Sequence, residues 1–171
     1  MITLSPYNLE WPLEFAAEKA ILQNLLGTKL IAIEHIGSTA IPFIHAKPVI
    51  DIMIGVTSVK EITPEIISSL QNHGYKYIQE FEVCMPYRRY FQKNNSAAVR
   101  THQIHLVEMN SDFWQRHLRF RDYLRAHRED AIRYEKLKQE LAKRFTDTSE
   151  YATAKSDFCN EINSKALVFE K

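Results

Sequence analysis

A small-residue turn, Gly37-Ser38, sits inside the stretch His35-Ile-Gly-Ser-Thr-Ala-Ile-Pro42, a short loop ahead of Lys47-Pro-Val-Ile-Asp-Ile-Met-Ile54. Glycine permits a turn that offers backbone N–H groups, and here a serine hydroxyl, to phosphate. Asp51 is the lone carboxylate of an otherwise apolar run, where a charge is costly unless it lies at an end or has a partner. Two partners fit the pattern. Asp51 either pairs with a cation such as Lys47 or an arginine, or holds a divalent metal near a bound phosphate. Met53 bears on the second option. Residues two apart on a strand share a face, and a two-metal site needs several carboxylates to bridge its ions. A thioether does not serve a hard cation. The remaining candidate ligands are His105, Glu108, Glu80 and Glu82.

Four further groups carry chemistry. His102 and His105 alternate on a strand, so they face opposite sides. His105 shares its side with Thr101 and Gln103 and is the candidate for a cleft. His35 either orients the Gly37-Ser38 turn or is structural. In Tyr87-Arg-Arg-Tyr-Phe91, Arg88 and Tyr90 share one strand face while Arg89 and Phe91 share the other. Either arginine is able to grip phosphate with two N–H groups, or to lie solvated at the surface. Arg121 and Arg125, four apart on a helix, either point into a site or line its solvated face. Tyr134 with Lys138, and Tyr151 with Lys155, repeat a Tyr-x-x-x-Lys spacing. It stacks a phenol and an ammonium on one helix face, either to hold polyphosphate or as ordinary helix surface.

The elements that must position these groups read as follows. Residues 2–4 suggest a short edge strand, and Asn8 a cap for a helix over 12–26 that Gly27 ends. Leu30–Ile36 and Val49–Val56 read as strands, the latter the strongest in the chain. A helix spans Glu61–Asn72, with Pro64 in its first turn. Strands follow at Tyr75–Ile78, Tyr87–Gln92 and Thr101–Glu108. Residues 112–144 contain no Gly or Pro and read as one long helix or two shorter ones, with a last helix capped by Thr148 or Ser149. The expected class is α+β: a small mixed sheet flanked by helices over 1–110, with C-terminal helices over 111–171 packed on it as one domain.

The chain has 171 residues, 45% of them hydrophobic, which is enough for one domain with a true core. Its 22 basic and 21 acidic side chains leave a net charge of +1, so no global charge draws it to nucleic acid or membrane. Cys84 and Cys159 form no CxxC motif. No apolar run has the length to span a bilayer, and a cytoplasmic, reducing setting is expected.

Taken in order, several motifs resemble the GrpB-like family of the nucleotidyltransferase superfamily. They are Tyr7 and Trp11–Phe15, His35-Ile-Gly-Ser-Thr-Ala-Ile-Pro42, Ala46-Lys-Pro-Val-Ile-Asp51-Ile, His73-Gly74-Tyr75 and His102-Gln-Ile-His105-Leu. Phe120-Arg-Asp-Tyr-Leu-Arg125, Tyr134-Glu-Lys-Leu-Lys138 and Tyr151-Ala-Thr-Ala-Lys155 complete the set. The resemblance implies a nucleotidyltransferase-like fold with a helical C-terminal region. It further implies that Gly37-Ser38 is the phosphate turn and Asp51 the first metal acid. Met53 stands where the second acid belongs, and His105 occupies the place of the third ligand.

Three functions follow as expectations. In the first, a nucleotidyltransferase-like enzyme passes a nucleotidyl group to a small molecule, protein or RNA end: Gly37 and Ser38 hold the phosphates of a nucleoside triphosphate, and Asp51 with His105 holds Mg2+ or Mn2+, less favourably Zn2+. Lys47, Arg88, Arg89, Arg121, Arg125, Lys138, Tyr151 and Lys155 then bind phosphate or offset developing charge. In the second, Met53 marks an altered, catalytically silent relative that binds a nucleotide or phosphorylated metabolite without transferring it. In the third, His35, His102, His105 and Asp51 gather a transition metal in a hydrolase or sensor. Both Asp51 and His105 are expected in one cleft with Ser38, with an arginine at the rim and the helix of Lys155 covering one side.

Overall fold

The computed structural model describes residues 2–169. They form two compact units: a sheet unit of Leu9–Ile36 and Val49–Gln115, and a helical unit built from the described residues of 1–8, 37–48 and 116–171.

In the sheet unit, α1 (Trp11–Leu26) starts with Pro12 in its first turn, where the missing N–H costs no hydrogen bond. Glu10 takes the cap position without a side-chain hydrogen bond, so Asn8 is not the cap. Gly27 ends the helix at φ +51°, in the left-handed region that favours glycine. The strands are β1 (Ala32–Ile36), β2 (Ile50–Val56), β3 (Tyr75–Tyr77), β4 (Arg88–Asn94) and β5 (Arg100–Glu108), with α2 (Pro64–Asn72) between β2 and β3. They lie in the order β1-β2-β5-β4-β3. Only β2 and β5 pair in parallel, so the sheet is mixed. The expected strands and second helix are therefore present, with boundaries moved by a few residues. The 2–4 edge strand is not: the N-terminal segment of the helical unit makes a single bridge, Ser5 to Ala46.

Register assigns the two faces of the sheet. Asp51 lies beside Gln103 and Met53 beside His105; His105 in turn lies beside Tyr90, and Val107 beside Arg88. Laterally paired residues project to the same side, so these polar groups share one face. The opposite face carries Ile52, Ile54, Ile104, Leu106 and Phe91, all at most 1% exposed. α1 covers this apolar face: Phe15 stacks on His35 at 4.9 Å, and buried Glu18 pairs with Lys93 at 2.5 Å. His35 is thus held by an aromatic contact.

In the helical unit, α3 (Asp112–Ala126), whose first residues belong to the sheet unit, is followed by α4 (Arg128–Arg144), α5 (Thr148–Thr153) and α6 (Ser156–Phe169). The Gly- and Pro-free stretch thus makes two helices. Asp147, rather than Thr148 or Ser149, caps α5 by accepting from the N–H groups of Ser149 and Glu150 at 2.8 and 2.9 Å. One core cluster joins Ile41 and Ile44 of the 37–48 segment to Leu124, Ala131, Tyr134 and Ile162. A second joins Ile2 to Leu141, Ala142 and Tyr151. Those contacts explain why 37–48 belongs with the helices. Both cysteines are free thiols. Among the described residues, no helix is long and apolar enough to cross a membrane.

Candidate functional site

On the polar face of the sheet, Asp51 and His105 lie near each other: His105 Nε2 stands 3.8 Å from Asp51 Oδ1. Their side chains are 25% and 15% exposed, so both are reachable from solvent. Arg88 places Nη1 at 3.1 Å from His105 Nδ1. Its guanidinium lies 4.8 Å above the Tyr90 ring and about 6 Å from those of Phe81 and Phe113, an aromatic setting that favours a cation. Arg88 is 8% exposed, and its Nε is a buried donor with no hydrogen-bond acceptor among the described residues. Burial pulls its pKa down, with the nearby Tyr90 and Tyr87 phenols opposing. The Tyr90 hydroxyl donates to Gln103 and accepts from Gln92 at 3.2 Å, which fixes the floor of this face.

Met53 is fully buried beside His105, and no three His, Cys, Asp or Glu side chains are gathered as a metal site requires among the described residues. His102 lies on the other face, 4.0 Å from Glu18, and His35 stacks on Phe15. The four groups His35, His102, His105 and Asp51 therefore do not gather as the transition-metal expectation requires. Arg89, opposite in facing to Arg88, is taken by Glu82 at 3.0 Å.

The helical unit collects a different set. Ser38 leads a single 3-10 turn, and its Oγ donates to the Tyr134 hydroxyl at 3.3 Å. Lys138, one turn further along α4, is 1% exposed; its Nζ sits 4.6 Å over the Tyr134 ring and donates to the His45 carbonyl. Glu135 accepts from the His45 N–H at 2.8 Å and approaches His45 Nδ1 at 2.5 Å. Lys155 lies 4.4 Å over the Tyr151 ring, and Lys47 approaches the same ring at 6.0 Å.

The Tyr-x-x-x-Lys repeat is thus two cation–ring pairs, with the first lysine inside the unit. Burial drives the Lys138 pKa down to about 7, helped by the positive charge of Lys155 and opposed by Glu135. Burial also pushes the Tyr151 phenol up to about 12. Arg121 and Arg125 are occupied differently: Arg121 pairs with Asp122 at 2.7 Å, and Arg125 donates to the Ala40 carbonyl at 2.8 Å.

Tyr90 and Gln103, His45 and Glu135 support these groups and were not singled out as site residues from sequence. Tyr90 and Gln103 sit at period two with Arg88 and His105, a signal already present in the strands. No such signal marked His45 and Glu135, which meet only through tertiary structure.

The GrpB protein family model matches residues 1–165, and the chain belongs to that family. It is 37% identical over 166 residues to the UPF0157 protein YqkA of Bacillus subtilis, covering 96% of this chain but 47% of the relative, so it spans about half of that protein. To the glutamate-rich protein GrpB of Alkalihalophilus pseudofirmus it is 34% identical, with 94% of this chain and 93% of the relative covered. The crystal structure of conserved protein GrpB from Enterococcus faecalis superposes with a TM-score of 0.87 at 31% identity, over 98% of this chain and 99% of the other.

Proposed function

We propose that this protein binds a phosphorylated ligand, a nucleotide or a phosphorylated metabolite, without performing two-metal nucleotidyl transfer. Lys138 carries this reading. It is a lysine 1% exposed, with a second lysine close enough to depress its pKa and no carboxylate within ion-pair distance among the described residues. A buried ammonium without a counter-charge is strongly disfavoured. A phosphate group drawn to Lys138 and Lys155 supplies that charge, and Ser38, Tyr134 and Lys47 belong to the same unit and add polar contacts. The altered chemistry follows from Met53, which puts a thioether where a second acid would serve a metal.

Titration calorimetry with ATP, GTP, CTP, UTP and pyrophosphate, each with magnesium and then with a chelator, tests this reading. Binding by at least one of them persists in chelator. Asp51→Asn leaves its affinity nearly intact, because the anion is held by lysines. Lys138→Met weakens it about tenfold or more, as expected for losing a charged hydrogen-bond donor. Absence of binding by all five up to millimolar concentration sinks the idea. A large affinity loss in Asp51→Asn would instead favour a metal-centred transferase.

A further inference from the structure

We infer that Arg88 is a positioning residue that holds His105 in its neutral Nε2–H form, making Asp51 and His105 a hydrogen-bonding pair for a ligand hydroxyl and not a divalent-cation site. The inference uses the sheet unit alone and holds whether or not the lysines of the helical unit take phosphate.

The donor inventory drives it. A guanidinium has five N–H donors and no acceptor. Arg88 Nη1 at 3.1 Å from His105 Nδ1 therefore donates, and Nδ1 must present its lone pair. In a neutral imidazole the proton then sits on Nε2.

A metal ligand needs the reverse arrangement. Coordination through Nε2 requires a lone pair on that atom, and the proton on Nδ1 is normally given to a carboxylate or carbonyl. Arg88 offers no acceptor. Coordination through Nδ1 is blocked by Arg88 itself. Met53, fully buried beside His105, adds no hard ligand. The donor set thus does not fit the divalent ion that the superfamily resemblance implies.

It fits a hydroxyl. The gap of 3.8 Å between His105 Nε2 and Asp51 Oδ1 is too long for a direct hydrogen bond. A single oxygen about 2.8 Å from each atom bridges it, accepting from Nε2–H and donating to the carboxylate. Asp51 supplies only acceptors and His105 Nε2–H only a donor, which is what an alcohol's one donor and two acceptor sites require.

Long-range 1H–15N correlation spectra of the protein labelled with 15N-histidine read the ring directly, with His105 assigned through the His105→Gln variant. The neutral Nε2–H pattern is expected at neutral pH. A Nδ1–H pattern or a doubly protonated ring overturns the inference. Stoichiometric Mn2+ is expected to leave the His105 signals sharp; selective broadening that Asp51→Asn removes overturns it too. Arg88→Met should release Nδ1 to take the proton and allow Mn2+ to broaden His105. An unchanged Nε2–H pattern in that variant means Arg88 does not set the tautomer. Should Arg88→Met not fold, Arg88→Leu, which likewise offers Nδ1 no donor, gives the same reading.

For the hydroxyl, ribose 5-phosphate in large excess should shift the Nε2–H resonance in the wild type but not in Asp51→Ala, and no shift in the wild type overturns that assignment. Inorganic phosphate alone separates the two proposals. If it leaves the resonances around Lys138 unmoved while the Nε2–H pattern stands, the proposed phosphate site fails and the tautomer assignment does not.

Discussion

Single residues set the chemistry of each unit. Lys138 is set apart by burial and His105 by its contact with the Arg88 guanidinium. Lys138 is held inside the helical unit with its pKa near 7. A charged buried lysine destabilises its fold, so sites built this way trade stability for function. At a pH below 7, Lys138→Met is expected to raise stability by about 1 kcal/mol or more, in spite of losing the donor to the His45 carbonyl. If Lys138 holds phosphate as proposed, the same substitution is expected to abolish any stabilisation by pyrophosphate. Differential scanning calorimetry of both proteins with and without pyrophosphate measures the two effects. A variant that is less stable than the wild type below that pH, with its pyrophosphate response intact, would show Lys138 to be only a packing residue.

Among the elements, β2 is the one on which the polar face depends. Its apolar Ile residues anchor it in the sheet, while Asp51 near its start emerges on the polar side and Gly55 follows on the same side. A Cβ at Gly55 would lie 2.9 Å from both Met109 Sδ and Trp114 Cζ3. Glycine therefore lets the start of α3 close over the end of β2, bringing Phe113 to 5.7 Å from the His105 ring. Gly55→Ala is expected to cost about 1–3 kcal/mol through overpacking. By displacing Phe113 it also alters the His105 ring signals. Urea unfolding together with histidine NMR checks both; a neutral substitution with unmoved His105 signals would mean that α3 adjusts freely.

Over the whole molecule, buried ionisable groups make stability depend on pH. Lys138 titrates near 7 when folded and near 10.5 when unfolded. Between these values the unfolded chain binds more protons, so stability rises with pH, by at most about 1.4 kcal/mol per unit. On the acid side, Glu18 and His102 act in the same direction. Burial pushes Glu18 up, but hydrogen bonds from Lys93 and Tyr75 and the charge of His102 outweigh it, leaving its pKa below the usual value. Burial holds the His102 pKa down against the attraction of Glu18. Both groups take up protons more readily when unfolded, so acid destabilises the fold. The wild-type Tm is expected to climb from pH 7 to mildly alkaline values, and Lys138→Met to flatten that climb. A flat wild-type profile would show that Lys138 is not depressed.

Local pattern was enough for much of this. Period-two alternation in β4 and β5 put Arg88 with Tyr90 and His105 with Gln103, because strand side chains alternate by covalent geometry. The apolar run around Asp51 marked β2, and the ordered motifs carried the family resemblance. The expected edge strand at 2–4 failed because a short segment pairs only where a partner strand is offered. Lys138 read as a candidate phosphate ligand or helix surface, since spacing along α4 fixes its angle about the helix axis but not what packs on that side. Segment 37–48, joined to the helices through Ile41 and Ile44, makes that side interior. The tautomer of His105 likewise lay outside the sequence: it depends on which nitrogen meets a guanidinium at 3.1 Å, a distance set only when β4 pairs with β5.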